Sequence, residues 1–246
     1  MHPVSLRVEH PLHLYFIPSN SKMLLFSQHL DASVQFAAWQ ITEDEAFFRQ
    51  DLPLAAAEEA EIQRYQLPLR RLEWLAARWL LHRLTGSPER LLLIKNTYSK
   101  PFFLDHPHLH CSLSHSHGTV AALLSEQVCG CDIQMLVPKI ERIAHKFMTP
   151  SDFDWVDTYP PQERLELLHL FWTAKEALYK AHGLKELDFK EHLWVDQFSW
   201  RAPQTVETNG EIRKEGKISK YTLKMGKFEW EAGVFLWTIA LSTPKK

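Results

Sequence analysis

Glycine is scarce in this chain of 246 residues, with 8 against 9 tryptophans and 14 phenylalanines. Phosphate loops of the Walker or dinucleotide-binding kind need several glycines in one turn, so neither is expected. Cysteine is scarcer still: Cys111, Cys129 and Cys131 are too few and too unevenly placed for a disulfide framework and predict reduced thiols. Cys129 and Cys131 read as small core residues one strand step apart rather than as redox or metal ligands. No apolar run approaches the roughly 18 residues of a membrane span. The N-terminus carries Glu9 and prolines at 3, 11 and 18 in place of a cationic start and an apolar run, so no signal peptide is expected. Excess charge is missing as well. The 28 Lys and Arg against 30 Asp and Glu leave a net charge of -2, which excludes a broad basic surface for nucleic acid and makes any phosphate site local. A soluble, cytoplasmic protein is expected, with no nucleic acid or membrane partner.

What is present is an ordinary globular composition, 45% hydrophobic and 24% charged, long enough for one large domain or two small ones. Strands are predicted over 12–17 and 34–40, and a helix over 54–67 that Pro68 interrupts. From 69 to 85 the apolar residues Leu72, Leu75, Ala76, Trp79, Leu80 and Leu84 recur at helical spacing, and Gly86 and Pro88 stop the run. Strand-like pieces follow over 91–94, 109–113, 119–124 and 128–134, with turns at 99–101 and 115–118. A second long helix is predicted over 161–182, closed by Gly183. Strands are then expected over 194–200 and 229–241, with a polar hairpin or mobile loop over 205–220 between them. The two helices match one another at Trp74 and Trp172, Ala76 and Ala174, and Leu80 and Leu178. This suggests duplication into two α+β subdomains, 1–127 and 128–246, around a cleft.

On the second helix Leu167, Leu170, Phe171, Ala174, Ala177, Leu178 and Ala181 share one arc and predict its core face. Trp172, Glu176 and Lys180 lie opposite. Two charged residues alone would read as a solvated ion pair, but an indole centred on that face predicts a cover, either the other half of the molecule or a ligand. In the strand Gly130-Cys131-Asp132-Ile133-Gln134, Asp132 and Gln134 point to one face and Cys131 and Ile133 to the other. A strand aspartate needs a partner or a task. The segment Ser112-Leu113-Ser114-His115-Ser116-His117-Gly118 ends a strand in hydroxyls and imidazoles that can hold phosphate oxygens.

These three segments, with Phe171-Trp172-Thr173-Ala174-Lys175-Glu176-Ala177-Leu178-Tyr179-Lys180 as the third, resemble in order and separation the signature blocks of 4′-phosphopantetheinyl transferases of the Sfp type. A weaker likeness runs from Arg64 through Tyr98-Ser99-Lys100-Pro101 to the C-terminal strands. The resemblance implies two similar α+β subdomains with pseudo-twofold symmetry and an active site in the cleft between them. It implies transfer of the phosphopantetheine arm of coenzyme A to a serine of an apo acyl or peptidyl carrier protein, with release of 3′,5′-ADP. Mg²⁺, with Mn²⁺ as an alternative, would be held by Asp132 and Glu176. Lys180 would contact the diphosphate, with Lys175 as a second candidate. Either Glu176 or a metal-bound water would take the serine proton. His115 and Ser114 would contact a coenzyme A phosphate, Lys100 the nucleotide, and Arg64 and Lys95 the 3′-phosphate; Arg70, Arg71 and Arg78 are unranked neighbours.

Two residues depart from the family pattern. Gln134 stands where many members have a third carboxylate, and implies weaker metal binding without coenzyme A. Ser99 replaces the glycine of a Gly-Lys-Pro turn and leaves that turn's backbone open. Carrier docking is expected near Lys139, Arg142, Lys146, Phe147 and Met148, and monomeric behaviour because one chain supplies both sides of the cleft. Two alternatives stand beside this reading. One is a non-catalytic coenzyme A or carrier-binding homologue; the other is a zinc protein built on His106, His108, His110, Cys111, His115 and His117.

Overall fold

The computed structural model describes residues 25–31, 33–200 and 205–243; the strand expected over 12–17 lies outside these. In chain order the elements are β1 (Leu25–Asp31), β2 (Val34–Gln40), α1 (Glu45–Gln50), α2 (Ala56–Ile62), α3 (Pro68–Thr85), β3 (Leu93–Lys95), β4 (Pro101–Phe103), β5 (His110–Ser116), β6 (Thr119–Ser125) and β7 (Cys129–Met135). Then come α4 (Ile140–Ile143), α5 (Pro150–Val156), α6 (Pro161–His182), β8 (Leu193–Val195), β9 (Val206–Lys214), β10 (Lys217–Trp230) and β11 (Gly233–Ser242).

Strands β1-β2-β6-β5 form one antiparallel sheet and β7-β11-β10-β9-β8 a second, with β3 and β4 as a small separate hairpin. The cores stack in layers. Leu75, Leu80 and Trp79 of α3 pack on one face of the first sheet. Its other face, with Phe36, Ala121 and Leu123, meets Ile133, Trp237 and Ile239 of the second sheet. Leu167, Leu170, Phe171, Ala174, Ala177 and Leu178 of α6, each 0% exposed, cover the far face of that sheet. The apolar arc read from the sequence is therefore the buried one, and alternate strand faces supply both neighbours of each sheet.

Both long helices begin with proline in the first turn, where a missing N–H costs nothing. Gly183 ends α6 at φ 71°, where a side chain would also meet the Lys100 side chain. Between β7 and α6 the backbones touch: a Cβ at Gly130 would lie 2.0 Å from the Ala177 carbonyl oxygen.

Several boundaries differ from the sequence expectation. The helix over 54–67 is only the seven residues of α2. The strand over 194–200 shrinks to β8, and Trp200 instead buries its indole and donates to Glu166 Oε2 at 2.7 Å. The polar stretch over 205–220 is the hairpin alternative, in two long strands, with Val206, Gly210, Ile212, Tyr221, Leu223 and Met225 buried and lysines outward.

The two sheets also join at an edge. Ser112, Ser114 and Ser116 of β5 accept hydrogen bonds from the backbone N–H groups of Cys131, Ile133 and Met135 of β7, at 3.0, 3.3 and 3.1 Å. Side-chain hydroxyls at every second residue thus do what a backbone ladder does elsewhere. No described helix is long and apolar enough to cross a membrane.

Candidate active site

The serine seam delivers Asp132 to the centre of the molecule. Even-numbered residues of β7 face α6, so the Asp132 carboxylate stands against that helix at 2% exposure. Its Oδ1 accepts from Ser114 Oγ at 2.6 Å and from Lys180 Nζ at 2.7 Å, and its Oδ2 accepts from Gln134 Nε2 at 3.1 Å. Lys180 also donates to the Cys131 carbonyl at 3.0 Å. Burial works against the Lys180 charge, but the Asp132 carboxylate outweighs it and raises the lysine above its usual range.

Glu176 sits one helical turn before Lys180. Burial first, and then the charge of Asp132, push its carboxyl up to about 7, with Lys180 pulling the other way. Among the described residues none donates a hydrogen bond to Glu176. An unsatisfied, half-buried carboxylate beside a second carboxylate is a natural place for a cation. Two carboxylates suit a hard ion that completes its shell with phosphate oxygens and water. Among the described residues no three His, Cys, Asp or Glu side chains gather as a metal site. The zinc alternative thereby loses its ligand set: the rings of His106 and His108 meet edge to face with centroids 6.0 Å apart, while Cys111 is buried in the core with its Sγ on the Pro101 carbonyl.

Two predicted residues of α6 lie elsewhere. Lys175 is 1% exposed and donates to the carbonyls of Phe147 and Phe189 at 2.6 and 2.7 Å, so it does not face Asp132. Trp172 is covered, but by the C-terminal half's own loops, stacking on Phe189 and meeting Phe147 edge-on. Phe147 and Met148 are core residues, so of the five residues expected for docking Lys139, Arg142 and Lys146 are exposed, with Glu141 and His145 exposed among them.

Beside Lys180 opens a cavity of about 290 Å³ between the halves. Among the described residues its lining carries five cationic side chains, Arg78, Lys95, Lys100, Lys180 and Lys185, and no carboxylate. That composition attracts a polyanion. Lys95 is paired with Glu61, which also accepts from the Trp74 indole at 3.0 Å. Lys100 crosses between the halves and donates to the Ala181 carbonyl at the end of α6 at 2.6 Å; burial lowers its pKa. The turn that carries it tolerates Ser99 at φ 73° because Asn96 Oδ1 accepts from the Tyr98 and Lys100 N–H groups, both at 2.9 Å.

His115 lies at the other end of the seam with its side chain 44% exposed, its Nδ1 3.3 Å from Glu73 Oε2 and its Nε2 3.0 Å from Arg70 Nη1. Burial lowers its pKa. Arg71 is instead tied to Glu45 at 2.7 Å, and Arg64 is exposed and outside the cavity lining. Arg78, an unranked neighbour in the sequence, and Lys185, which the sequence did not single out, are both cavity residues. Arg78 stacks 3.5 Å over the Trp74 ring, burial lowers it to about 10, and its Nε is 3.7 Å from Glu58, beyond hydrogen-bond reach. Its place on the α3 face beside the core was the available signal. Lys185, after the helix-ending Gly183, had none.

Residues 128–234 match the family model described as the 4′-phosphopantetheinyl transferase superfamily. The chain is 36% identical to 4′-phosphopantetheinyl transferase AcpT of Escherichia coli (strain K12) over 118 residues, 46% of this chain and 59% of that protein. It is 28% identical to 4′-phosphopantetheinyl transferase gsp of Aneurinibacillus migulanus over 151 residues, 61% of this chain and 60% of that one. With 4′-phosphopantetheinyl transferase HetI of Nostoc sp. it shares 27% identity over 180 residues, 68% and 73% of the two chains. The chain thus spans about three fifths of the length of the AcpT and gsp relatives.

Proposed function

For a chain that belongs to the 4′-phosphopantetheinyl transferase superfamily through residues 128–234, we propose transfer of the 4′-phosphopantetheine arm of coenzyme A to a serine of an apo acyl or peptidyl carrier protein. The observation that carries this reading is the cavity whose described lining has five cations and no carboxylate and includes Lys180, next to Asp132 and Glu176. Coenzyme A supplies the matching polyanion. In the reaction the carrier serine oxygen bonds to the β-phosphorus, the bond from that phosphorus to the bridging oxygen breaks, and 3′,5′-ADP leaves. There is little covalent work for the protein beyond alignment and charge neutralisation.

Asp132 and Glu176 would hold Mg²⁺, or Mn²⁺ in its place, which offsets diphosphate charge when bound. Lys180 holds a charged ammonium at the diphosphate end of the cavity. Glu176, or a water on the bound cation, would take the serine proton. Lys95, Lys100 and Arg78 line the end where the 3′-phosphate and nucleotide would lie, and His115, outside that lining, would contact a coenzyme A phosphate. We further read the two helix-backed sheets as duplicated subdomains related by a pseudo-twofold axis, with the boundary near 127 and 128, acting as a cytoplasmic monomer.

Incubation with an apo carrier, coenzyme A and Mg²⁺, read by mass spectrometry, tests the reading. The carrier gains the mass of one phosphopantetheine, and Asp132→Ala or Glu176→Ala abolishes the gain. An unmodified carrier with every carrier type tried overturns the proposal.

A further inference from the structure

The resemblance puts Ser114 against a phosphate of coenzyme A. Its surroundings give it a different task. Ser114 is buried, and its oxygen has two partners, accepting from Ile133 N–H at 3.3 Å and donating to Asp132 Oδ1 at 2.6 Å. A carboxylate offers about four lone-pair sites, two on each oxygen. Oδ1 is filled by Ser114 and by Lys180 at 2.7 Å. Oδ2 has one donor, the Gln134 amide nitrogen at 3.1 Å. That amide must face Asp132 with its nitrogen, since its oxygen there would meet a like partial charge.

We propose that Ser114 is a positioning residue: together with Lys180 it fixes Asp132 through Oδ1, so that the remaining site on Oδ2 is presented to a divalent cation, with Gln134 steadying the carboxylate rather than serving as a third ligand. The inference rests on the metal-assisted reading above and deepens it. A hydroxyl that orients a ligating carboxylate typically contributes 10- to 100-fold in metal affinity.

The seam contains its own control. Ser116 accepts from the Met135 N–H at 3.1 Å in the way Ser114 accepts from Ile133, and its other hydrogen-bond partner is His117 Nδ1 at 3.1 Å in place of Asp132. Mn²⁺ is titrated into the chain with coenzyme A present, and free Mn²⁺ is followed by electron paramagnetic resonance. Ser114→Ala weakens Mn²⁺ uptake about tenfold or more, whereas Ser116→Ala keeps the wild-type affinity even where both variants lose similar thermal stability. Because Ser114→Ala can fail to fold, the isosteric pair Ser114→Thr and Ser114→Val is compared as well; Thr retains the affinity and Val loses it. If the wild type takes up no Mn²⁺, the metal reading falls and this proposal with it. If the wild type binds and Ser114→Ala binds as tightly as Ser116→Ala, or Val as tightly as Thr, the positioning role alone is overturned.

Discussion

Replacing Gly130 by alanine places one methyl group between β7 and α6 at the point where no gap exists. The added carbon would meet the Ala177 carbonyl oxygen at 2.0 Å and the Ala181 amide nitrogen at 2.6 Å, both of them backbone atoms that no rotamer change can move aside. Ordinary contact begins at 3.4 Å, so by difference from 2.0 Å the helix must retreat about 1.4 Å. Overpacking commonly costs about 1–3 kcal/mol, and two backbone obstacles put this case near the upper figure. For a chain of this size roughly 3 kcal/mol lowers the melting temperature by about 6–12 °C. Glu176 and Lys180 flank the two obstructing residues and move with the helix, so carrier modification falls further than stability alone accounts for. Gly216→Ala is the comparison. That glycine has φ 73° with nothing within 4 Å of a new Cβ, so the change costs only backbone strain of about 1 kcal/mol and leaves the site alone. Guanidinium unfolding followed by tryptophan fluorescence measures both. A Gly130→Ala protein within about 0.5 kcal/mol of wild type, an ordinary surface-substitution effect, would show that the β7–α6 contact is not as close as described and refute the argument.

Acid should destabilise the fold through His169, whose Nε2 accepts from the Val137 N–H at 3.2 Å while Nδ1 lies 2.9 Å from the Leu165 carbonyl, so the ring must be neutral to keep both. Burial lowers its pKa in the folded state, so the unfolded chain binds the proton first and stability falls as pH drops through about 6.5, the unfolded value. His169→Gln should flatten unfolding free energy against pH by up to about 1.4 kcal/mol per pH unit, and an unchanged slope would count against the neutral ring. The three cysteines are all free and buried, with Cys111 and Cys131 pushed up to about 12 by burial. A disulfide-exchange reagent should therefore titrate almost no thiol in the native chain and all three in denaturant; rapid labelling of the native protein at Cys111 would contradict the closed core around it.

Local chemistry made much of the scaffold readable. Pro161 and Gly183 bracket α6 as its end signals predict, and the seven-residue apolar arc is the face that packs. The alternation in β7 correctly sent Asp132 to one side and Cys131 and Ile133 to the other. Other features depended on partners distant in sequence. A helical wheel cannot show that loops carrying Phe147 and Phe189 fold over α6, where they take the place expected of the other half or a ligand above Trp172 and hold Lys175, a candidate through the family pattern, by their carbonyls. Long strands in the β9–β10 hairpin were hidden by their outward lysines. Glu61 and Glu73, which hold Lys95 and His115, are separated from them by 34 and 42 positions of helix, loop and strand sequence. The assignment of Asp132, Glu176 and Lys180 to one site came from the family pattern, and the structure brings Asp132 and Lys180 into contact.

The run of serines along β5 has a consequence for solubility. Strand β7 borders its sheet, and the outward N–H groups of Cys131, Ile133 and Met135 would otherwise form a free template for a strand from another molecule. Three hydroxyls and the Lys180 ammonium on the Cys131 carbonyl cap that border within the chain itself. Substituting all three serines by alanine would uncap it, and the expected product is self-association through strand addition at a border that the native protein never leaves open.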